Sequence, residues 1–429
     1  MVFFHHHRAF RFGLTLVLFT LILNGCIGYR KTLEQVDRLA LGGQYMQAVQ
    51  ALDESKLASS SKDRLLYLME RGLLLNLAGE YKESNRTLQA ADDLTEELVT
   101  RSLSGEALSF VVNDSTVPYR GEDYESAYLN YYKALNFLAL GDFEAAAVEA
   151  RRVDEKLNWY FDLYDGKNSY REDAFLRLLT GLLYEAYGDP GNAQVAYRRS
   201  LNAYENQQEL YKVATPRLLW KRLLYLSDQL GYRDEHARYL GQAPADLNWQ
   251  QQQDALLVLL VDRGHIPPKR EAALPVPTSR GQWIKVSIPV LDQETKLSHQ
   301  ADVRVNADKI GVVESVGNLD AIARRSLEDK KGRILLKETA RAVTKESLAR
   351  KTEDQYGAAA GIAFRIVSIL TANADLRSWR LLPSRIDMVM VPLHAGEHQV
   401  EIAVGGKSIK KQVELEKGQV TFLHQRFFY

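Results

Sequence analysis

Two stretches decide the fold of the first half of this chain: Gly72-Leu-Leu-Leu-Asn-Leu-Ala-Gly79-Glu-Tyr81 and Gly181-Leu-Leu-Tyr-Glu-Ala-Tyr-Gly188-Asp-Pro190. In each, two glycines stand seven residues apart within a pattern of apolar residues at helical spacing. A polar residue and a second helical pattern follow the later glycine, which is typical of a tight turn between two helices. The same turn recurs at Gly43, Gly141 and Gly231, so the sequence predicts a series of helix pairs.

The residues that follow each turn glycine are patterned as well. A small or medium residue stands five positions after each turn glycine. An apolar or aromatic residue, such as Leu88 or Tyr197, stands nine positions after it. This arrangement resembles the tetratricopeptide (TPR) repeat, in which a small residue of the first helix lies in close contact with the second. The resemblance implies a TPR-like α-solenoid over residues 33–245, whose concave face holds a peptide or a protein. An irregular helical domain without a binding groove is the alternative.

The repeats are degenerate, because the turn glycines are 36, 62, 47 and 43 residues apart. The longest interval contains an insertion, Asp92–Asp123, in which Asn113-Asp-Ser115 and Pro118-Tyr-Arg-Gly121 are rich in turn-forming residues. A loop is therefore predicted there. Long loops within compact domains often carry function.

Residues 1–25 are predicted to be a signal peptide. Two arginines precede the apolar run Phe12–Leu23, which is shorter than the roughly 20 residues that a helix needs to span a bilayer. The run ends in Leu23-Asn-Gly-Cys26, which resembles the lipobox of bacterial lipoproteins, although Asn24 departs from the usual Ala, Ser or Thr. The resemblance implies a diacylglyceryl group and an N-acyl chain on Cys26, with no other cofactor. An ordinary secretory signal and an N-terminal membrane anchor are the alternatives.

The predicted anchor lies close to the fold. Thr32-Leu-Glu-Gln35 fits a capping box, so a helix is expected from Leu33, and residues 26–32 form a short tether. At about 3.3 Å per residue, this tether reaches roughly 20 Å at most. Ile27 stands where an Asp would retain an enterobacterial lipoprotein in the inner membrane. The periplasmic face of the outer membrane is therefore the expected location, and the inner membrane is the alternative.

Residues 246–429 are predicted to form a small antiparallel β domain, because short apolar runs replace the helical pattern. Residues 271–281, which contain two prolines, are expected to be an irregular crossing. Two or three helices are expected as an insertion at 318–373, with Gly357–Gly361 in a tightly packed core helix. Hairpin turns are expected at His394–Glu397 and at Gly405-Gly406. The fold class is α+β and multidomain. The apolar run Ala255–Val261 is expected to be a buried strand, and a helix is the alternative. The other predicted strands are Trp283–Leu291, Val303–Val305 paired with Lys309–Val316, Ile386–Pro392, Gln399–Val404, Ser408–Leu415 and Gln419–Phe428.

Several segments together resemble an uncharacterised family of bacterial TPR-type lipoproteins. They are Asn113–Glu125, Ala134–Gly141, Val148–Val153, Gly264–Lys269, and Ala374–Trp379 with Leu382-Pro383. The resemblance implies the same order of signal, helical repeats and β domain, and little chemistry. Members of the family are often encoded beside lipoprotein activators of penicillin-binding proteins, which points to envelope assembly.

Composition and motifs narrow the function classes. Lys plus Arg and Asp plus Glu both number 55, which argues against nucleic acid as the main partner. A single cysteine rules out an intramolecular disulfide and zinc sites built from several cysteines. The chain has no nucleophile elbow, P-loop, zincin or Rossmann motif. His394 and His398 are spaced like zinc ligands on a helix, but Gly396 places them in a turn, so no metal is expected.

Six residues are candidates for contact with a partner. An internal ion pair is favoured for the helical charges Glu149, Arg151 and Arg152, and binding of an anion or a peptide carboxylate is the alternative. A solvated loop is favoured for Lys269, and contact with phosphate or lipid headgroups is the alternative. Core packing explains most tyrosines near 119–132, although some could line a groove. The candidates are Tyr119, Arg120, Glu149, Arg151, Arg152 and Lys269.

The leading hypothesis is a lipid-anchored scaffold of the cell envelope that binds a protein partner through its TPR-like surface and catalyses no reaction. A regulator of peptidoglycan synthesis, contacting a penicillin-binding protein or its activator, is the second hypothesis. That hypothesis requires the protein to reach across the periplasm, which the short tether makes harder. An envelope enzyme is the third, and it lacks a recognisable site.

Overall fold

The structure is a computed structural model, which describes residues 33–105, 117–163, 170, 172–250, 254–277, 283–293, 300–309, 313–370 and 373–428. The predicted signal peptide, the tether and the lipid site at Cys26 lie outside the described residues. Helices fill the first half of the chain and strands dominate the second. The helix-rich part followed by a β region is therefore confirmed.

The first half consists of antiparallel helix pairs that stack in chain order. Each second helix packs on its own partner and on the first helix of the next pair, as α5 does on α4 and α6. The helices are α1 (residues 33–41), α2 (Tyr45–Asp53), α3 (Lys56–Ser59), α4 (Arg64–Leu77), α5 (Tyr81–Gly105), α6 (Asp123–Ala139), α7 (Phe143–Leu163), α8 (Ala174–Tyr187), α9 (Pro190–Tyr211), α10 (Arg217–Gln229) and α11 (Arg233–Gln242).

The glycine pattern has the geometry that the repeats require. Gly188 caps α8 at φ 88°, a left-handed conformation that costs glycine little, and the other four turn glycines also have positive φ. A Cβ atom on Gly181 of α8 would lie 2.3 Å from the Tyr197 ring, and one on Gly72 of α4 would lie 2.4 Å from the Leu88 side chain. The close contact predicted between the two helices of a pair is confirmed at both positions.

The predicted loop from Asp92 begins too early. Helix α5 continues to Gly105, because Ala91, Thr95 and Leu98 extend its buried stripe at helical spacing. The turn-rich residues come later, and residues 106–116 lie outside the described part of the chain.

Two four-stranded sheets and a separate hairpin make up the β region. The first sheet has the order β10-β1-β7-β6, the second has the order β5-β4-β8-β9, and β2 pairs with β3. Strand β1 is buried on both faces: Leu256, Val258 and Leu260 pack with the helices, whereas Leu257 and Leu259 pack with the second sheet. The strands are β1 (Ala255–Arg263), β2 (Lys269–Pro277), β3 (Trp283–Leu291), β4 (Asp302–Val305), β5 (Asp308–Lys309), β6 (Glu314–Asn318), β7 (Arg385–Leu393), β8 (Gly396–Val404), β9 (Lys407–Leu415) and β10 (Val420–Phe427).

Four details of the predicted β domain are wrong. Strand β10 pairs with β1 in parallel, so the first sheet is mixed. Residues 269–277 form a regular strand, because both strands of a two-stranded hairpin are edges and an edge tolerates proline. Of the described residues in the predicted partner segment 309–316, Lys309 pairs with β4 as part of β5, whereas those from Glu314 onward join β7 in the other sheet. The turn near His394 crosses from the first sheet to the second instead of closing a hairpin.

The helices within the β region are α12 (Leu319–Tyr356) and α13 (Ala358–Leu370), which pack side by side. The start of α12 is anchored in the core by Leu319 and Ile322. The prediction of a core helix at Gly357–Gly361 is wrong. Gly361 alone is buried in that segment, where a Cβ atom would lie 2.6 Å from Glu353, and the preceding alanines are exposed or half-buried.

Candidate interaction surfaces

The first helices of the pairs face the chain's own first sheet. On α6, the hydroxyls of Tyr131 and Tyr132 each donate a hydrogen bond of 2.9 Å to the Asp262 carboxylate on β1. Phe175 of α8 lies against Gly317 of β6. At α6 and α8, the face that was expected to line a binding groove is therefore covered by residues of the same protein.

Asp262 is the centre of this contact. It is fully buried, and on the sheet side it lies 3.1 Å from His424 Nε2 and 3.7 Å from Arg426 Nη1. Burial acts to raise the pKa of Asp262, but His424 and Arg426 outweigh it, so the pKa lies below the usual value. Arg426 also donates to the carbonyl oxygens of Gly264 and Leu381, at 2.6 and 2.7 Å. The tyrosine hydroxyls of α6 thus bond a buried carboxylate whose basic neighbours all lie on the sheet, which joins the helix to the sheet.

The segment after α13 adds a second row of contacts. Glu125 of α6 accepts the backbone N–H of Trp379, and Glu70 of α4 accepts that of Arg380, both at 2.8 Å. Arg377 donates to Asp63 at 3.1 Å. Carboxylates of the first helices thus satisfy backbone donors of a segment that has no strand partner of its own.

Tyr119 and Lys269, two of the predicted contact residues, belong to the same buried zone. The Tyr119 hydroxyl donates to Glu125 Oε2 at 2.6 Å, and Lys269 Nζ donates to Glu122 Oε1 at 2.7 Å. Lys330 of α12 reaches the other Glu122 oxygen at 2.6 Å. Burial acts to raise the pKa of Glu122, but the two lysines hold it well below its usual range. These groups join the solenoid to the β2–β3 hairpin and to α12.

The predicted residues on α7 divide between inside and outside. Glu149 is buried, lies 3.0 Å from Lys133 Nζ and accepts a hydrogen bond from Asn130. Arg152 Nη1 lies 3.1 Å from Glu149, whereas Arg151 is exposed.

The six candidate residues therefore do not form one surface. The side chains of Tyr119, Glu149 and Lys269 are buried and make contacts within the chain. Arg120 and Arg151 are exposed and Arg152 is half-buried. Sequence spacing could not separate these cases, because the partners that bury the first group come from distant segments.

One edge of the solenoid carries a repeated apolar feature that the sequence reasoning missed. A large apolar residue is exposed within two positions of four turn glycines. Because the pairs stack in the same orientation, their turns lie along one edge. We call this surface the turn edge; its members are Leu41, Leu140, Tyr187 and Tyr232. The signal was present in the sequence as an apolar residue flanking a turn.

A second exposed surface is formed by the β2–β3 hairpin and the α12–α13 hairpin, which pack together and which we call the arm. Eight of the 18 exposed large apolar residues of the described chain lie on it. Helices α12 and α13 hold eleven Lys and Arg against seven Asp and Glu, and β2 and β3 hold three against one, in a chain whose net charge is zero. The apolar members are Leu274, Trp283, Leu335, Leu336, Val343, Leu348, Tyr356 and Ile362.

Within the described ranges, no helix combines the length and the apolar character needed to cross a membrane. The same ranges contain no group of three or more His, Cys, Asp or Glu residues placed to hold a metal ion. A cavity of about 20 Å³, enough for one water molecule, lies between α8, α9 and β6, with Asp173 and Gln207 in its wall.

No protein-family model matches the chain, and no curated protein matches it. Among solved structures, a crystal structure of MamA has a TM-score of 0.30 and 14% identity, covering 48% of this chain and 91% of the other. A second MamA structure, labelled AMB-1, has a TM-score of 0.31 and 12% identity, with coverages of 53% and 94%. BtubC from P. vanneervenii has a TM-score of 0.26 and 16% identity, with coverages of 58% and 96%. Likenesses this weak carry no argument about function, and the helical-repeat architecture rests on the helix pairs themselves.

Proposed function

We propose that this protein is a lipid-anchored scaffold of the bacterial envelope, which binds another envelope protein along its turn edge and catalyses no reaction. The observation that carries the proposal is the turn edge itself, an apolar side chain repeated at four of the five turns. Solenoids typically bind partners through such extended, repeated surfaces. Two of the four side chains are tyrosines, which are enriched among residues that dominate binding energy.

The filled concave face supports this choice of surface. Sheet β10-β1-β7-β6 occupies the side where a TPR-like solenoid would ordinarily hold a peptide, so the outer edges remain for recognition. The sheet also braces the helix pairs against one another. A braced edge pays little conformational entropy when it binds.

The anchor in this proposal is Cys26 with its acyl chains, on the periplasmic face of the outer membrane. Two or three chains give stable attachment, whereas one gives only marginal binding. With a tether of residues 26–32, the solenoid would stay within roughly 20 Å of the bilayer. Partners embedded in or attached to the same membrane are then the accessible ones. Intact-mass measurement of the mature protein, beside a Cys26→Ser control, tests the anchor directly.

The partner surface is tested by photo-crosslinking in the native host, followed by mass spectrometry of the captured proteins. The photoreactive residue is placed either at Leu140, on the turn edge, or at Leu210. Leu210 lies near the C-terminal end of α9, whereas the turn at Gly188 precedes the N-terminal end of that helix. Both leucines are 41% exposed, which makes them a matched pair. One dominant protein captured from Leu140 and not from Leu210 supports the proposal. Equal capture from both positions, or none from Leu140 at equal expression, contradicts it.

A further inference from the structure

Helix α13 exposes a face that carries no charge. Its thirteen residues include one charged side chain, Arg365, which turns back onto α12. There Arg365 Nε lies 3.2 Å from Glu346 Oε2, and its Nη2 lies 2.8 Å from Glu353 Oε2. Among the side chains of the helix whose burial the structure describes, Ala358, Ala359, Ile362 and Ala363 are exposed.

The apolar exposure continues onto the neighbouring elements of the arm. On α12, Leu336 is 72% exposed, and Ala340 and Val343 follow it at helical spacing on the same side. Two amphipathic aromatic residues are also exposed: Tyr356 at the junction of the helices and Trp283 at the start of β3. Single exposed apolar residues are common, but eight large ones on one part of the fold are typical of a surface that meets a partner or a membrane.

The helices of the arm carry an excess of positive charge. Helices α12 and α13 together have a net charge of +4 by residue count, from the eleven basic and seven acidic residues given above. Many of the acids are already paired on α12, as Glu346 is with Arg350 and Arg365. Lys351 and Arg333 are exposed. A helix with an apolar face, basic flanks and aromatic residues is typical of segments that lie in a membrane interface.

We propose that the arm lies on an anionic phospholipid surface, with the uncharged face of α13 buried in the headgroup region. Thirteen residues are too few to span a bilayer, and an apolar helix of that length fits an interfacial segment. Trp283 and Tyr356 supply the ring types that favour the boundary between lipid and water. The basic residues supply attraction to anionic headgroups. This contact is separate from the proposed lipid on Cys26, and it holds the molecule in one orientation on the membrane.

The test uses the unlipidated chain that begins at residue 26 and carries Cys26→Ser, so that the arm alone can bring it to vesicles. Co-sedimentation is measured with vesicles of equal parts phosphatidylglycerol and phosphatidylcholine, and with vesicles of phosphatidylcholine alone. Two exposed residues are changed, Ile362→Glu and Leu336→Glu. Leu240→Glu on α11 is the matched control, since Leu240 is 50% exposed and Ile362 is 54% exposed.

The expected result is binding to the anionic vesicles that weakens with added salt and falls about tenfold in each arm variant. The Leu240→Glu chain should bind like the parent. Equal binding to both vesicle types, equal binding of the arm variants, or no binding at all overturns the proposal. Self-association that Ile362→Glu abolishes, without vesicle binding, would identify a second copy as the occupant instead. None of these outcomes bears on the turn edge, which the crosslinking experiment tests separately.

Discussion

Glu70 makes the stability of this protein depend on pH. Its Oε1 accepts the backbone N–H of Arg380, whereas its buried Oε2 has no hydrogen-bond partner among the described residues. Burial, aided by the nearby Asp37 carboxylate, raises the pKa of Glu70 from 4.5 to about 8, against the opposing effect of Arg380. The folded protein therefore keeps a proton that the unfolded chain releases.

Because folded Glu70 binds its proton more tightly than unfolded Glu70, the free energy of unfolding falls as the pH rises. The contribution of Glu70 to folding is fully present below pH 4.5 and is lost as the pH rises through about 8. At about 1.4 kcal/mol per pH unit, the free energy of unfolding falls by roughly 5 kcal/mol over that interval. Burial also raises the pKa of Asp173 to about 6, which adds a smaller loss of the same sign.

Glu70→Gln removes the titration and keeps an acceptor for the Arg380 N–H. The free energy of unfolding is measured with urea at several pH values for the parent and for the variant. The buried amide costs about 1–3 kcal/mol at every pH because it lacks a partner. Between about pH 5 and about pH 8, however, the free energy of unfolding of the variant should rise by several kcal/mol relative to that of the parent.

Comparison of two variants separates this cause from a general loss of charge. Glu205→Gln, at an exposed position on α9, should follow the parent at every pH. A difference between Glu70→Gln and the parent that stays constant within about 1 kcal/mol across the same range refutes the reasoning.

Three further predictions concern how the helices are held together, and urea unfolding checks each of them. Asp262→Ala leaves Arg426 buried without its carboxylate and should lower the free energy of unfolding by about 3–5 kcal/mol. A decrease below about 1 kcal/mol contradicts the idea that Asp262 joins the helices to the sheet. Gly181→Ala overpacks the contact between α8 and α9 and should cost about 1–3 kcal/mol, whereas Gly241→Ala, which has open space around it, should not destabilise α11. Glu314→Ala removes the carboxylate that accepts the first two N–H groups of α10, at 2.6 and 2.9 Å, and should cost about 1 kcal/mol; an unchanged midpoint argues against this cap.

The helix pairs could be predicted because their information is local. A turn glycine with positive φ and the close contact at Gly72 or Gly181 lie within a few residues of each other in the chain. Strand β1 could be predicted for the same reason, since burial on both faces demands a continuous apolar run.

The contacts that decide which surface is free could not be predicted in this way. Asp262 accepts a hydrogen bond from Tyr131, which lies 131 positions away in the sequence. No pattern in the residues around either one predicts this contact. The parallel pairing of β10 with β1 joins segments about 160 residues apart, and no periodicity specifies it. The exposed face of α13 looked like a core helix, because an apolar run does not reveal what covers it.

The position of β10 has a consequence for how the chain matures. Residues 420–427 pair with β1 and bring His424 and Arg426 to Asp262, so the last strand completes a contact begun by α6. Until those residues have been synthesised, Asp262 and the two tyrosines of α6 lack the basic partners that the strand brings. A premature stop codon shortly before residue 420 would thus spare every helix pair and still leave the buried carboxylate between helix and sheet without its basic neighbours.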